Sequence, residues 1–142
     1  GRSELVKGKY TVLKDCYNAN PDSMYKALEL ASSVKVPGKK IFVLGDMLEL
    51  GADSEKEHKK IGDLLAKFDV DMVVLVGDEI KYALLGKNGG KPLFFVYVKG
   101  RDENAMAQAA DAIKSHSSPG DFILLKGSRG VGLERILPLI GM

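Results

Sequence analysis

Three short stretches of this 142-residue chain carry more functional groups than a turn needs. The first is Asp15-Cys16-Tyr17-Asn18-Ala19-Asn20-Pro21, which sets a carboxylate, a phenol and two carboxamides close together. Carboxylates can accept from ribose hydroxyls, and carboxamides both donate and accept. A helix starting here would add N-terminal N–H groups that favour a nearby anion. Simpler roles are open as well: Asn20 as a helix cap and Asn18 as a turn residue. The second stretch, Gly45-Asp46-Met47-Leu48-Glu49-Leu50-Gly51, places Asp46 and Glu49 among apolar residues. Such a loop either covers a ligand or packs on its own domain, and the sequence leaves both open. The third, Lys126-Gly127-Ser128-Arg129-Gly130, offers a cation, a hydroxyl and a second cation. That set suits a carboxylate or a phosphate.

Other residues read more plainly. Gly77-Asp78 looks like an ordinary turn. The chain lacks the phosphate-loop pattern, and the glycines of 127–132 have the wrong spacing for a dinucleotide fingerprint. Cys16 is the single cysteine and has no histidine near it in sequence, so a nucleophilic role is not supported. His58 and His116 fall on helical stretches and read as solvated surface residues. No metal-ligand spacing is present. The run Glu55, Lys56, Glu57, Lys59 and Lys60 reads as a solvated helix face.

These groups need elements to position them. Apolar runs at 10–15, 40–44, 71–76, 93–98 and 121–125 read as strands, with a short partner strand at 4–6. Helical periodicity appears at 21–34, 54–68, 79–85, 104–116 and 134–140, with a loop at 87–90. In 21–34, Met24, Ala27, Leu28 and Ala31 share one face, behind Asn20 as N-cap and Pro21 at the first helical position. In 54–68 the inward set is Ile61, Leu64, Leu65 and Phe68. Strands alternating with helices predict an α/β domain with a mostly parallel sheet of about six strands, buried on both faces. Ligands of open α/β sheets bind beyond the carboxyl ends of the strands. The polar stretches follow strands, so a polar rim on one edge of the sheet is expected.

Bulk properties exclude some partners. The composition is 45% hydrophobic and 28% charged with a net charge of +2, and neither sign forms a block. Nothing calls for nucleic acid or a membrane as partner. No apolar run approaches a membrane span, and no signal peptide pattern opens the chain. One cysteine fits a reducing cytoplasm. The length favours one domain, 1–142. The chain begins Gly-Arg-Ser rather than with Met, and reads as a piece of a longer protein.

The three stretches together resemble the C-terminal domain of the Mur ligases. Asp15-x-Tyr17-Asn18-Ala19-Asn20-Pro21-x-Ser23-Met24 is similar to the block that opens that domain. Leu44–Gly51 with Ser54 and His58-x-x-Ile61-Gly62 is similar to the next, and Leu125–Arg129 with Leu133-Glu134 to the last. The resemblance runs in order through nearly the whole chain and departs at Gly130-Val131-Gly132. It implies a Rossmann-like three-layer domain, the third of three in an ATP-dependent ligase. The first would bind the UDP-muramyl peptide, and the central one would carry the phosphate loop and most contacts to ATP and Mg2+. This domain would close over the site. The blocks are most similar to those of the member that adds D-alanyl-D-alanine to UDP-N-acetylmuramoyl-tripeptide. By resemblance, Arg2 reaches the ATP γ-phosphate from the hinge, and Asp15 lies near the ribose. Tyr17, Asn18 and Asn20 line the closed cleft. Lys126, Ser128 and Arg129 hold the incoming substrate's carboxylate, with Asp46 and Glu49 as weaker candidates. The alternatives are a stand-alone α/β nucleotide-binding or protein-interaction module, and a small hydrolase. The last lacks a nucleophile–His–acid set. A phosphate-loop domain encoded before Gly1 would separate the first reading from the second.

Overall fold

The computed structural model describes residues 3–86 and 94–142. Arg2 and the expected loop at 87–90 lie outside them, as does the first residue of the strand expected at 93–98. Six strands form one sheet: β1 (Glu4–Lys7), β2 (Thr11–Asp15), β3 (Lys40–Gly45), β4 (Met72–Gly77), β5 (Phe94–Lys99) and β6 (Phe122–Lys126). Their spatial order is β1-β2-β6-β3-β4-β5. β1 pairs antiparallel to β2, and all other pairings are parallel. The mostly parallel six-stranded α/β sheet is therefore as expected. The strands that precede the three polar stretches, β2, β6 and β3, are direct neighbours.

Helices cover both faces, giving three layers. α1 (Pro21–Ser33) and α2 (Ser54–Leu65) pack on one face through Met24, Leu28, Ile61 and Leu65, against Leu13, Phe42, Leu44 and Leu124. α3 (Glu103–His116) and α4 (Ile136–Leu139) pack on the other through Met106, Ile113 and Ile136, against Val12, Val43, Val74 and Leu125. β3, β4 and β6 lie between the layers and are buried along their full length. β1 and β5 are edge strands and stay largely exposed or half-buried, so burial on both faces holds only for the middle of the sheet. The 79–85 stretch forms a 3-10 helix over Ile80–Leu85 rather than an α-helix. The helix expected at 134–140 is shorter than its pattern: a 3-10 turn at Leu133–Arg135 leads into the short α4, which contains Pro138 near its start, and another 3-10 turn at Arg129–Val131 precedes both. No helix among the described residues is long and apolar enough to cross a membrane.

Local chemistry explains where α1 starts. Asn20 Oδ1 accepts from the Ser23 N–H at 2.8 Å, and Ser23 Oγ accepts from the Asn20 N–H at 3.0 Å. This reciprocal capping box satisfies two N–H groups that the helix cannot. Met24, Ala27, Leu28 and Ala31 are buried, the four residues that the helical spacing selects.

Candidate functional site

The loops after β2, β6 and β3 meet on one edge of the sheet, tied together by Ser128. Its hydroxyl accepts from the Leu48 N–H at 2.9 Å and donates to the Ala19 carbonyl at 3.4 Å. Its backbone N–H donates to the Asp46 carbonyl at 2.9 Å. One buried serine therefore joins all three loops. The neighbouring glycines permit this closeness: a Cβ on Gly127 would stand 3.0 Å from the Cα of Gly45.

Above Ser128 lies a cleft of about 180 Å³, lined also by Tyr17, Asn18, Leu48, Glu49, Arg129 and Gly130. Arg129 and Tyr17 are exposed, and the guanidinium carbon lies 5.4 Å from the ring centroid. A cation over an exposed aromatic face is worth about 0.5–1 kcal/mol, enough to bias a side chain without fixing it. The pair also borders a second recess of about 290 Å³ with Lys14, Cys16 and Glu134. Glu49 is exposed at the tip of its loop with φ 71, the one non-glycine residue at positive φ among the described residues. Holding a side chain there costs about 1 kcal/mol, which the surrounding hydrogen bonds must offset.

The three expected carboxylate ligands separate. Arg129 is on the surface, whereas Lys126 and Ser128 turn inward, at 1% and 8% exposure. Lys126 Nζ donates to the Asn18 carbonyl at 2.7 Å and pairs with Asp15 at 3.1 Å. Lys126 and Asp15 are register partners on adjacent parallel strands, so the pair is short and direct. Asp15 is half-buried and also accepts from Ser3 Oγ. Asn18 and Asn20 are exposed, Asn20 while capping α1.

Asp46 is not in the cleft. It is fully buried, and its carboxylate accepts the N–H groups of Asp78, Glu79 and Ile80 at 2.7–3.0 Å and Arg101 Nε at 2.8 Å. Four donors fill the lone pairs of a carboxylate and leave none for a substrate. Gly77 is required beneath it, since its φ of 140 and the adjoining carboxylate both exclude a side chain. Gly77-Asp78 is thus more than a turn: it belongs to this cradle. Burial works against the charge of Arg101, but Asp46, Asp78 and Glu79 raise its pKa above the ordinary value.

His58 corrects the surface reading. It is fully buried, with Nε2 accepting from the Met47 N–H at 2.9 Å and Nδ1 set 2.7 Å from the Ser54 carbonyl. Those partners require a neutral ring with the proton on Nδ1. Met47 is buried too, so this part of the loop packs on its own domain. The missed signal is spacing, because Ser54, His58, Ile61 and Leu65 form one helical stripe. His116 is exposed, as expected. Burial, and then the charge of Glu134, pushes the Cys16 thiol up to about 12. A thiol held so far from ionisation is a poor nucleophile. Among the described residues no three His, Cys, Asp or Glu side chains converge as metal ligands.

The chain is similar along nearly its whole length to proteins already known. The family described as Mur ligase, glutamate ligase domain, matches residues 1–129. The UDP-N-acetylmuramoyl-tripeptide–D-alanyl-D-alanine ligase of Treponema pallidum is 39% identical over 140 residues, covering 99% of this chain and 29% of the relative. The ligase of the same name from Bacillus subtilis is 37% identical over 140 residues, covering 96% and 29%. Among solved structures, MurF from Acinetobacter baumannii aligns with a TM-score of 0.77 at 29% identity, over 96% of this chain and 28% of that one. The MurF ligase from Thermotoga maritima in complex with ADP aligns with a TM-score of 0.74 at 27% identity, over 97% and 29%. The chain thus spans less than a third of the length of each.

Proposed function

The chain belongs to the Mur ligase family, and we propose that it is the closing domain of an ATP-dependent ligase that joins D-alanyl-D-alanine to UDP-N-acetylmuramoyl-tripeptide. The observation that carries this reading is the cleft itself. Loops from three adjacent strand ends converge on it, with an exposed guanidinium at its mouth. A guanidinium there can grip a carboxylate with two parallel hydrogen bonds. The dipeptide presents a carboxylate at one end and the reacting amine at the other, so holding the first aims the second.

In the proposed reaction ATP phosphorylates the peptide carboxylate. The dipeptide amine then attacks the acyl carbon, the C–N bond forms, the C–O bond to phosphate breaks, and the amine loses a proton. An acyl phosphate is lost to any water that reaches it, so a domain that closes over it protects the intermediate. Closure also brings amine and carbonyl together, which supplies a large part of the rate. Arg129 takes the dipeptide carboxylate, with Glu49 beside it in the cleft. Tyr17, Asn18 and Asn20 face the nucleotide, with Asp15 at its ribose. Lys126 and Ser128 act from beneath by fixing these loops. Arg2, outside the described residues, is assigned to the γ-phosphate on resemblance alone. Mg2+ and most contacts to ATP belong to the other domains of the longer protein. One free thiol and ATP-dependent chemistry suit the cytoplasm.

The test uses the full-length protein with ATP, UDP-N-acetylmuramoyl-tripeptide and a panel of amines. ADP release and product formation are expected with D-alanyl-D-alanine, and not with single amino acids. The isolated 142-residue chain should give no product under the same conditions. Absence of ligation by the full-length protein would overturn the assignment. Ligation by the isolated chain would overturn the claim that it supplies only part of the site.

A further inference from the structure

A polar cluster outside the cleft centres on Arg101, just past the end of β5, three strands along the sheet from β6 and its Arg129 loop, with β3 and β4 between. Its Nε donates to Asp46 at 2.8 Å, and the guanidinium lies 3.5 Å from Glu79 and 3.9 Å from Asp78. Asp46 in turn offers its carbonyl to the Ser128 N–H. The Arg101 backbone leads to the same loop by a second route. Its carbonyl accepts from Arg135 Nη2, which also donates to the Val131 carbonyl at 2.7 Å. Arg135 Nε donates to the Gly132 carbonyl at 3.0 Å, and the Gly132 N–H donates to the Arg129 carbonyl at 3.1 Å. The backbone around Arg129 is therefore held from both sides: at Ser128 by Asp46, which the Arg101 side chain grips, and at Val131–Gly132 by Arg135, which bonds the Arg101 carbonyl and also pairs with Glu103 at 2.8 Å.

We infer that Arg101 is a positioning residue for the dipeptide: through its side-chain grip on Asp46, whose carbonyl holds Ser128, it sets where Arg129 presents its guanidinium. The inference rests on the proposed function, since it assumes that Arg129 grips the dipeptide carboxylate. Arg101 itself is one-third exposed, and among the described residues its side-chain polar partners are Asp46, Asp78 and Glu79, none of which lines the cleft. Its effect should therefore fall on dipeptide capture and not on the other substrates.

The experiment is steady-state ligation by the full-length protein carrying Arg101→Ala, Arg101→Lys or Asp121→Ala. Asp121 is buried at the opposite end of the sheet, where it accepts from the Lys39 and Ser118 N–H groups, and serves as a destabilised control. Arg101→Ala should raise KM for D-alanyl-D-alanine about tenfold or more, with KM for the UDP-linked peptide within twofold of the parent. Arg101→Lys keeps one donor toward Asp46 and should recover part of that loss. Asp121→Ala should lower the melting temperature and leave the dipeptide KM unchanged. If Arg101→Ala lowers only kcat, in step with the folded fraction and with the dipeptide KM unchanged, the positioning role is wrong. Failure of the parent protein to ligate would instead overturn the proposed function, so the two failures are distinguishable.

Discussion

Replacing Asp46 with alanine should destabilise the domain by about 3 kcal/mol or more, chiefly by orphaning backbone donors, since the Arg101 end of the charge pair is one-third exposed and adds less than a fully buried partner would. The carboxylate is fully buried and holds three backbone N–H groups besides Arg101. Without it those donors lose their partner, the Ile80 N–H in a fully buried position and the others in partly buried ones, and each orphaned buried group adds its own desolvation penalty. Asp46→Asn should recover little, because an amide presents N–H to at least one of the existing donors. Domains of this size have about 5–15 kcal/mol in total, so the melting temperature should fall by roughly 10 °C or more. Denaturant titration of the variants checks this. A loss below about 1 kcal/mol would mean that the cradle is weak, and would return Asp46 to the list of ligand-facing residues.

Lys126→Met should combine a loss of stability with a loss of turnover. Methionine keeps the apolar stem but removes the ammonium that pairs with Asp15 and caps the Asn18 carbonyl. The stability cost should be about 2–4 kcal/mol, somewhat under the fully buried case because Asp15 keeps 13% exposure. The loop carrying Tyr17, Asn18 and Asn20 then loses its tether. Turnover of the full-length protein should fall roughly 100-fold below the Tm of the variant, in keeping with the sensitivity of catalysis to small displacements. The measurement is kcat alongside thermal melting. Full turnover with a normal melting temperature would show that the Lys126–Asp15 pair contributes to neither.

Arg129 and Lys126 show what sequence could and could not supply. Both are cations in one short stretch, and residue type alone groups them as ligands of one anion. Their separation depends on register: Lys126 is the last residue of β6 and faces Asp15 across the sheet, while Arg129 follows the turn and points out. Register between strands 111 residues apart cannot be read locally. The strand order is similar, since nothing local says that β6 inserts between β2 and β3. Local signals served better. The capping box at Asn20 and Ser23 and the buried face of α1 follow from spacing within one turn. His58 was legible by the same rule, because it shares a stripe with Ile61 and Leu65, yet its polarity disguised it. Arg101 left a fainter trace: the chain leaves β3, β4 and β5 through Gly45-Asp46, Gly77-Asp78 and Gly100-Arg101, a repeated glycine and charge whose meaning appears only when the three ends come together.

The proposed function requires the cleft mouth at Arg129 to receive the carboxylate of the incoming dipeptide. The direct measurement is kcat/KM for D-alanyl-D-alanine in the full-length protein with Arg129→Ala, beside its melting temperature. Arg129 is exposed and its described contact is the ring of Tyr17, so the melting temperature should stay within about 1–2 °C. Loss of a charge-assisted bidentate contact should lower kcat/KM by roughly 100-fold, about 2.7 kcal/mol. An unchanged kcat/KM in a well-folded Arg129→Ala protein would mean that the dipeptide carboxylate is held elsewhere.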